Sequence, residues 1–323
     1  MTTKYLLLLL LALNCSVATA QWAQYCYFPV SQPTFGSASF IDAEFISVDT
    51  GVYLSGHAVS HESGFNALYT SDGANSWTGS FADGGFGVSA MSVATVKRQS
   101  TFYILTSYGG FTQLKKSDDG GASWNTVGGL GFECYRFFPC DTSKFYAARY
   151  QSGATHLTKY DHGIFNYSLA TIPSHYPTDL FFPDTTNGYI MTSNASLWDS
   201  HFISKTVDGG VSWVNVLNDS SIYLTKMFFT TANNGYTIGR GGKMLRTQDG
   251  GASWQNVQTG TNFDLLSLYF LNDSTGFVAG DSGTIIRTND FGMTWTQDFT
   301  GTTGPFSKIF FVNDSIGFAL SGQ

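Results

Sequence analysis

The stretch RTQDGGASW, residues 246–254, decides the fold because it returns along the chain. Related stretches end at Trp77, Trp124, Asn166, Trp213 and Trp295. The copy that ends at Asn166, LTKYDHGIFN, keeps the aspartate and one glycine but lacks the tryptophan. Successive ends lie roughly 41 to 47 residues apart, and a fixed period in this range is typical of an array of equivalent units, most often propeller blades.

Each copy has the chemistry of a tight hairpin turn. The Asp249 carboxylate and the Thr247 hydroxyl can accept hydrogen bonds from backbone N–H groups of the residues that follow. Gly250 and Gly251 tolerate backbone angles that other residues avoid, and Trp254 offers a large apolar surface to its sheet. We therefore predict a structural role for the aspartates and tryptophans of all copies: Asp72, Trp77, Asp119, Trp124, Asp161, Asp208, Trp213, Asp249, Trp254, Asp290 and Trp295.

A second repeating element precedes each turn. It consists of an aromatic strand, a polar turn and an alternating apolar strand, as in FFTTANNGYTIGR from Phe228. Similar segments begin at Phe45, Phe137, Phe181, Tyr269 and Phe310, with a weaker one from Met91. Each unit thus predicts four antiparallel strands in about 43 residues, which is a propeller blade. The fold class is all-β.

The number of units predicts how the array closes. Seven units begin, but the last one stops at Gln323 after its first hairpin. The segment 21–44 has no unit of its own, so we predict a seven-bladed propeller whose last blade this segment completes, because an open array would leave strand edges unpaired. The alternative is a sequence whose last turn lies beyond Gln323.

The N-terminal residues 1–20 have the pattern of a secretory signal peptide. Lys4 precedes an apolar run, and Ala18 and Ala20 provide small residues before Gln21. The run is too short to span a bilayer, and no later segment is long enough to do so. We predict export, to the extracellular space, the periplasm or the cell surface, of a single propeller domain over residues 21–323.

Composition limits the partners and the redox chemistry. Charged residues make up 12% and aromatic residues 16% of the chain, and the net charge of −7 argues against nucleic acid as a partner. Cys26, Cys134 and Cys140 remain after residue 20, and an exported chain permits disulfides. Cys134 and Cys140 are close enough in sequence for a bridge around a turn, although the sequence does not fix the pairing. We predict no cofactor and no metal.

Two segments carry a family resemblance. GYTIGRGGKMLRTQDGGASW (235–254) and GFVAGDSGTIIRTNDFGMTW (276–295) resemble blades of the photosystem II stability/assembly-factor-like propellers. The turn pattern is similar to the Asp-box, or BNR repeat, which that family shares with sialidases, the sortilin ectodomain and some glucanases. The resemblance implies a seven-bladed propeller. Photosynthetic members bind a membrane-protein client through basic residues, whereas this chain is acidic and has no matching arginine cluster.

A binding site is expected at the strand ends opposite the aspartate turns. Four residues after each strand aromatic come His57, Ser107, Tyr150, Ser193, Arg240, Asp281 and Gly322, and these differ between blades whereas the framework repeats. Two enlarged loops add further side chains. Our candidate ligand-binding residues are His57, His61, Glu62, Tyr150, Trp198, Asp199, His201, Arg240 and Asp281.

Each candidate has a simpler interpretation. His57 and His61 have the chemistry of metal ligands but are more often solvated loop residues. Trp198 is suited to stacking on a sugar ring and equally to packing over its own loop. Arg240 and Asp281, in adjacent blades, are expected to form an ion pair that contributes little to stability.

We predict a non-enzymatic binding or assembly scaffold for an exported protein or a surface glycan. The alternative is a glycoside hydrolase-like enzyme that uses an Asp/Glu pair where the loops converge. A sialidase is disfavoured because the chain has only three glutamates and because Arg246 and Arg287 recur as part of the repeat. We predict no catalytic residue.

Overall fold

The computed structural model describes residues 5–12, 21–29, 38–59, 62–73, 76, 78–83, 88–95, 101–108, 111–132, 134–141, 143–173, 175–194, 201–219, 222–298 and 300–322. The candidates His61, Trp198 and Asp199 and the framework residue Trp77 lie outside these ranges. His57 lies in the strand Gly51–Val59, and Glu62 begins the strand Glu62–Thr70.

The fold is all-β and is built from four-stranded antiparallel sheets. The first blade contains β3 (Ala38–Phe45), β4 (Gly51–Val59), β5 (Glu62–Thr70) and β6 (Thr78–Asp83). The second contains β7 (Val88–Thr95), β8 (Phe102–Tyr108), β9 (Phe111–Ser117) and β10 (Asn125–Phe132). The third contains β11 (Cys134–Pro139), β12 (Lys144–Gln151), β13 (Ala154–Asp161) and β14 (Ile164–Pro173).

Three further blades follow in the chain. The fourth contains β15 (His175–Phe181), β16 (Gly188–Asn194), β17 (His201–Thr206) and β18 (Val214–Asp219). The fifth contains β19 (Leu224–Phe229), β20 (Gly235–Gly239), β21 (Met244–Thr247) and β22 (Gln255–Asn256), with a short 3-10 turn at Arg240–Gly242. The sixth contains β23 (Leu265–Phe270), β24 (Gly276–Gly280), β25 (Ile285–Thr288) and β26 (Thr296–Asp298).

The predicted count of seven equivalent blades is wrong: within the described residues, six blades follow the repeat. The C-terminal hairpin, β27 (Phe306–Phe311) and β28 (Ile316–Gly322), instead pairs with β1 (Tyr5–Ala12), and β2 (Gln21–Pro29) lies outside β1. Of the segment 21–44 that was predicted to complete the last blade, β2 joins this sheet as its outermost strand, but β1 lies between β2 and the C-terminal hairpin. β1 comes from the stretch predicted as the signal-peptide core, and β3 begins the first blade. An open hairpin edge has unpaired backbone groups, so it pairs with whichever extended segment reaches it.

The chain folds as two compact units. The first includes residues 38–147 and 158–167, and the second includes residues 148–157 and 168–322. Whether residues 21–323 behave as one domain stays a prediction. No helix in the described part of the chain has the length and apolarity needed to span a membrane.

The core of the second unit is aromatic. Every residue of β20 and β24 is buried, which matches their apolar sequences GYTIG and GFVAG. Tyr189 stacks on Phe229 at a ring-centroid distance of 3.5 Å, and Trp254 meets the same Phe229 edge-on at 6.2 Å. Gly235 is needed beside this ring because a Cβ there would lie 2.2 Å from Phe229 Cε1. In the first unit, Phe145 stacks on Tyr160 at 4.7 Å.

The aspartate turns share one hydrogen-bond pattern. Asp249 Oδ1 accepts from the Thr247 hydroxyl at 2.8 Å and from Ser253 N at 2.9 Å, and Oδ2 accepts from the Ser253 hydroxyl at 2.6 Å. The bonds from Ser253 and Thr247 stabilise the carboxylate and lower the pKa of Asp249 to about 2. The same bonds recur around Asp72, Asp119, Asp208 and Asp290.

The third-blade copy, which has no serine or threonine four residues after its aspartate, is held differently. Asp161 lies 3.5 Å from Lys144 Nζ, 3.3 Å from Lys159 Nζ and 2.6 Å from His162 Nδ1. Basic side chains therefore replace the missing hydroxyl and keep the carboxylate paired.

The cysteine bridge considered for Cys134 and Cys140 is wrong, because both thiols are free. Cys134 begins β11 and Cys140 directly follows it, and six extended residues span about 20 Å, far beyond the reach of a disulfide. The Cys134 thiol instead donates to Arg136 O at 3.2 Å, and burial raises the pKa of Cys140 to about 12.

Candidate functional site

The structure places one candidate, Arg240, in a cluster of side chains at the end of the fifth blade opposite its aspartate turn. Arg240 follows β20, and its guanidinium carbon lies 3.7 Å from the centre of the Tyr223 ring. Its Nε lies 3.8 Å from Asp264 Oδ2, while 58% of the side chain stays exposed. We call Tyr223, Arg240, Lys243 and Asp264 the Arg240 cluster.

The predicted ion pair between Arg240 and Asp281 is wrong in its partner. Asp264, just before β23, takes that place and also accepts a hydrogen bond from Gly241 N at 2.8 Å. Asp281 occupies the position in the sixth blade that Arg240 occupies in the fifth, and its N–H donates to Asp264 O at 2.9 Å. The residue before the first strand of the next blade therefore faces Arg240.

The loop that presents Arg240 depends on two glycines in the left-handed region. Gly241 and Gly242 have φ values of +63° and +73°. A Cβ on Gly242 would lie 1.9 Å from Thr261 O, so no larger side chain fits without movement. The Thr259 hydroxyl fastens the arrangement by donating to Gly242 O at 2.7 Å. These contacts fix the backbone on which the cluster stands.

A polar pocket of about 430 Å³ lies beside the cluster. It is lined by Gly241, Gly242, Lys243 and residues 256–262, which contribute asparagine, glutamine and threonine side chains. Lys243 is half-buried at its edge and forms no ion pair with any described residue. The pocket and the cluster thus place two cations next to amide and hydroxyl groups on an acidic protein, a combination suited to a carboxylate.

The remaining candidates are distributed over other blade ends. The Tyr150 ring stacks on Tyr176 at 3.7 Å. His201 is 2% exposed, and its ring centre lies 4.7 Å from that of Tyr223, which connects it to the Arg240 cluster through one aromatic ring. Ser107 and Ser193 are buried, so they are framework rather than contact residues.

A second pocket, of about 420 Å³, is less polar. It is lined by residues 170–173 at the end of β14 together with His175, Val211 and Trp213. His175 stacks on Phe202 at 4.1 Å, and burial lowers the pKa of its imidazole. Among the described residues no three His, Cys, Asp or Glu side chains form a group able to hold a metal ion.

Sequence reasoning missed Tyr223, Lys243 and Asp264. Tyr223 and Asp264 occupy equivalent positions, one residue before the first strand of their blades. This repeated position could have identified both residues from the sequence. Lys243 lies three residues after Arg240 and returns to its side because Lys243 N donates to Arg240 O at 3.2 Å.

No protein-family model matches the chain, and no curated protein sequence matches it. Several solved structures are similar to it. A structure of YCF48 bound to D1 peptide is 19% identical, covers 90% of this chain and 92% of that one, and has a TM-score of 0.67. YCF48 from Cyanidioschyzon merolae is 18% identical with a TM-score of 0.63, covering 91% of this chain and 95% of its own.

A glycoside hydrolase is also similar. The Niastella koreensis GH74 enzyme is 16% identical with a TM-score of 0.58, and the match covers 89% of this chain but 52% of the enzyme. At these identities the likeness shows the fold alone: the chain is a β-propeller with four-stranded antiparallel blades. The structural likeness to YCF48 supports the predicted resemblance to assembly-factor-like propellers at the level of the fold.

Proposed function

We propose that this protein is a binding and assembly scaffold that holds an extended, carboxylate-bearing segment of a partner protein at the Arg240 cluster. The similarity to a propeller solved with a bound peptide supports the class of function. The cluster supports the place, because it puts the exposed Arg240 and the half-buried Lys243 beside a polar pocket.

One observation carries the proposal: Arg240 is held in position yet remains exposed. Stacking on Tyr223 and the nearby Asp264 carboxylate restrict its rotamers, so little side-chain entropy is lost when it binds. A guanidinium recognises a carboxylate through two parallel N–H···O bonds, and Lys243 adds a second charge at the pocket edge. The pocket then accommodates the residues on either side of the bound carboxylate.

The sixth blade provides the reference for this experiment. Arg240→Asp with Lys243→Thr gives the fifth-blade loop the residues of the sixth, Asp281 and Thr284. The probes are synthetic acidic twelve-residue peptides, with free and with amidated C termini, in fluorescence anisotropy at low and high salt. We expect at least tenfold weaker binding by the variant, equal to about 1.4 kcal/mol.

The matched control is Lys116→Asp with Lys308→Thr, which changes the net charge equally at other sites. It should bind these peptides nearly as well as the unaltered chain. Equal losses in both variants would mean that overall charge, not the cluster, holds the peptides, and the proposal would fail.

The repeated turns are proposed to be Asp-box hairpins, on the evidence of their shared hydrogen bonds. Residues 1–20 are proposed to direct export, leaving a mature chain of 21–323. Cleavage after Ala20 would remove β1 from its place beside β28, so the mature hairpin would need another partner strand. N-terminal sequencing of the chain recovered outside the producing cells tests this: a first residue other than Gln21 contradicts it.

A glycan is the second partner class, and a glycoside hydrolase-like activity is the alternative function. The similarity to a GH74 enzyme and the adjacent residues Asp264 and Asp281 favour it. Asp264 is already bound to Arg240 and Gly241 N, which opposes a role as acid or base. Hydrolysis of a glucan in a panel of polysaccharides that disappears in Asp281→Asn would establish the alternative.

A further inference from the structure

In two described aspartate turns the residue after the aspartate is not glycine: His162, with a φ of +47°, in the third blade and Phe291 in the sixth. The position after the aspartate is glycine in four of the described turns: Gly73, Gly120, Gly209 and Gly250. Their φ values lie between +68° and +76°. In the sixth blade the residue is Phe291, and its φ of +61° keeps the same left-handed backbone.

Phenylalanine is a costly residue at this position. A bulky side chain in the left-handed region is an outlier, because its Cβ approaches the following carbonyl, and glycine avoids that contact. Burial does not offset the cost, since 49% of Phe291 remains exposed. Met293 is 65% exposed, at a position where the second and fifth blades have Ala122 and Ala252.

The backbone under these side chains is fixed. Phe291 N donates to Ser274 O at 3.1 Å, and the Tyr236 hydroxyl donates to Phe291 O at 2.7 Å. Met293 N donates to Asp290 O at 3.3 Å. Strained backbone that the surrounding structure holds in place is often found at binding sites. An exposed aromatic residue that is already held in position loses little entropy when it binds a partner.

Carboxylates flank the apolar pair. Asp290 immediately precedes Phe291, and hydrogen bonds from Thr294 lower its pKa to about 2, so it is charged at neutral pH. Asp273 adjoins Ser274, which contacts Phe291; it is exposed and forms no ion pair with any described residue. Arg246 is half-buried over the Tyr236 ring, 5.9 Å from its centre, whereas Asp273 is exposed, so a surface that fits this one is apolar at its centre and basic at its rim.

We propose that Phe291 and Met293 form an anchor for a protein partner whose apolar pocket is bordered by lysine or arginine side chains. The anchor lies at the opposite end of β25 from the loop that carries Asp281, so it is separate from the Arg240 cluster. A scaffold with both sites holds two different protein segments at once. The occupant of this second site carries positive charge, whereas the first site takes a carboxylate.

A phage-displayed library of random peptides, selected on the folded full chain, tests the anchor. Clones that bind are then measured against Phe291→Gly, which restores the glycine found in four of the other turns, and against Met293→Ala. The control is Phe263→Ala, an equally exposed aromatic, at 49%, away from the turn. We expect a consensus with apolar residues next to lysine or arginine, tenfold or greater loss in Phe291→Gly, and binding that weakens with salt.

Thermal unfolding separates an anchor from a structural role. Phe291→Gly should unfold at a temperature unchanged or about 2 °C higher, because glycine relieves the left-handed strain. A lower unfolding temperature would show that Phe291 supports the fold and would overturn the proposal. Clones that bind Phe291→Gly as well as the unaltered chain, or a consensus without basic residues, would overturn it equally.

Discussion

The loop ends of the fifth and sixth blades have one backbone and opposite chemistry. Arg240 N donates to Tyr223 O at 3.0 Å, and Asp281 N donates to Asp264 O at 2.9 Å. In both blades the acceptor is the residue just before the first strand. The Thr259 hydroxyl donates to Gly242 O at 2.7 Å, and the Thr300 hydroxyl donates to Gly283 O at 2.9 Å. Yet Arg240 and Lys243 are replaced by Asp281 and Thr284.

The comparison separates residues that hold the loop backbone in place from residues whose side chains vary between blades. Glycines and threonines recur because the hydrogen bonds and close approaches that they make are the same in each blade. Charged residues differ because nothing in the framework specifies them. This difference supports the proposed binding role of Arg240 and Lys243, and three predictions test whether the loop backbones of the two blades are equivalent.

The largest effect is expected from the glycines under the loops. Gly242→Ala and Gly283→Ala each place a Cβ 1.9 Å from a carbonyl oxygen, of Thr261 or Thr302, at a left-handed φ. Each should lower the free energy of unfolding by about 2 to 4 kcal/mol, measured by urea denaturation. A loss of stability in only one of the two variants would show that the two loop backbones are not equivalent.

A smaller effect is expected from the threonines. Thr259→Val and Thr300→Val keep the side-chain shape but remove the hydroxyl donors to Gly242 O and Gly283 O. Each should cost about 1 kcal/mol of unfolding free energy, the usual net value of a hydrogen bond. A difference between the two valine variants larger than this cost would show that the loops are not equivalent. Thr296→Val is the control with little expected effect, because its hydroxyl is exposed and makes only a long contact of 3.5 Å to Arg287 O.

The smallest difference between the blades is expected in their acid sensitivity. Hydrogen bonds from Ser253 and from Thr294 lower the pKa values of Asp249 and Asp290 from 3.8 to about 2. Because the folded pKa is below the unfolded one, this stabilisation is present above the unfolded pKa of 3.8 and is lost as pH falls towards 2. Asp249→Asn and Asp290→Asn should reduce the fall in unfolding temperature over that range by similar amounts.

Unequal changes in that pH series would show that the turns, like the loops, have diverged. Lys243→Thr alone should leave the series unchanged, because it adds no carboxyl group and Lys243 lies at the other end of β21 from Asp249. A shift in that variant would mean that the two ends of the blade are coupled.

The sequence alone determined the repeat and therefore the fold class. The aspartate turns, the aromatic pairs and the four strands of each unit are local patterns: a turn depends on residues a few positions apart, and Asp249 reaches Thr247 and Ser253 without help from the rest of the chain. The same periodicity located the loop ends and included Arg240 among the candidates. Local chemistry is readable because chain connectivity already holds the interacting groups together.

Tertiary structure decided what depends on distant segments meeting. Arg240 pairs with Asp264 rather than Asp281, and its ring partner is Tyr223, because neighbouring blades set which strand start faces the loop. The C-terminal hairpin pairs with β1 rather than with a segment inside 21–44, since strand edges pair with whatever segment reaches them and a repeat does not specify which one. Cys134 and Cys140 stay apart because the residues between them extend as a strand. Pairings between distant segments are set by packing, which no single repeat encodes.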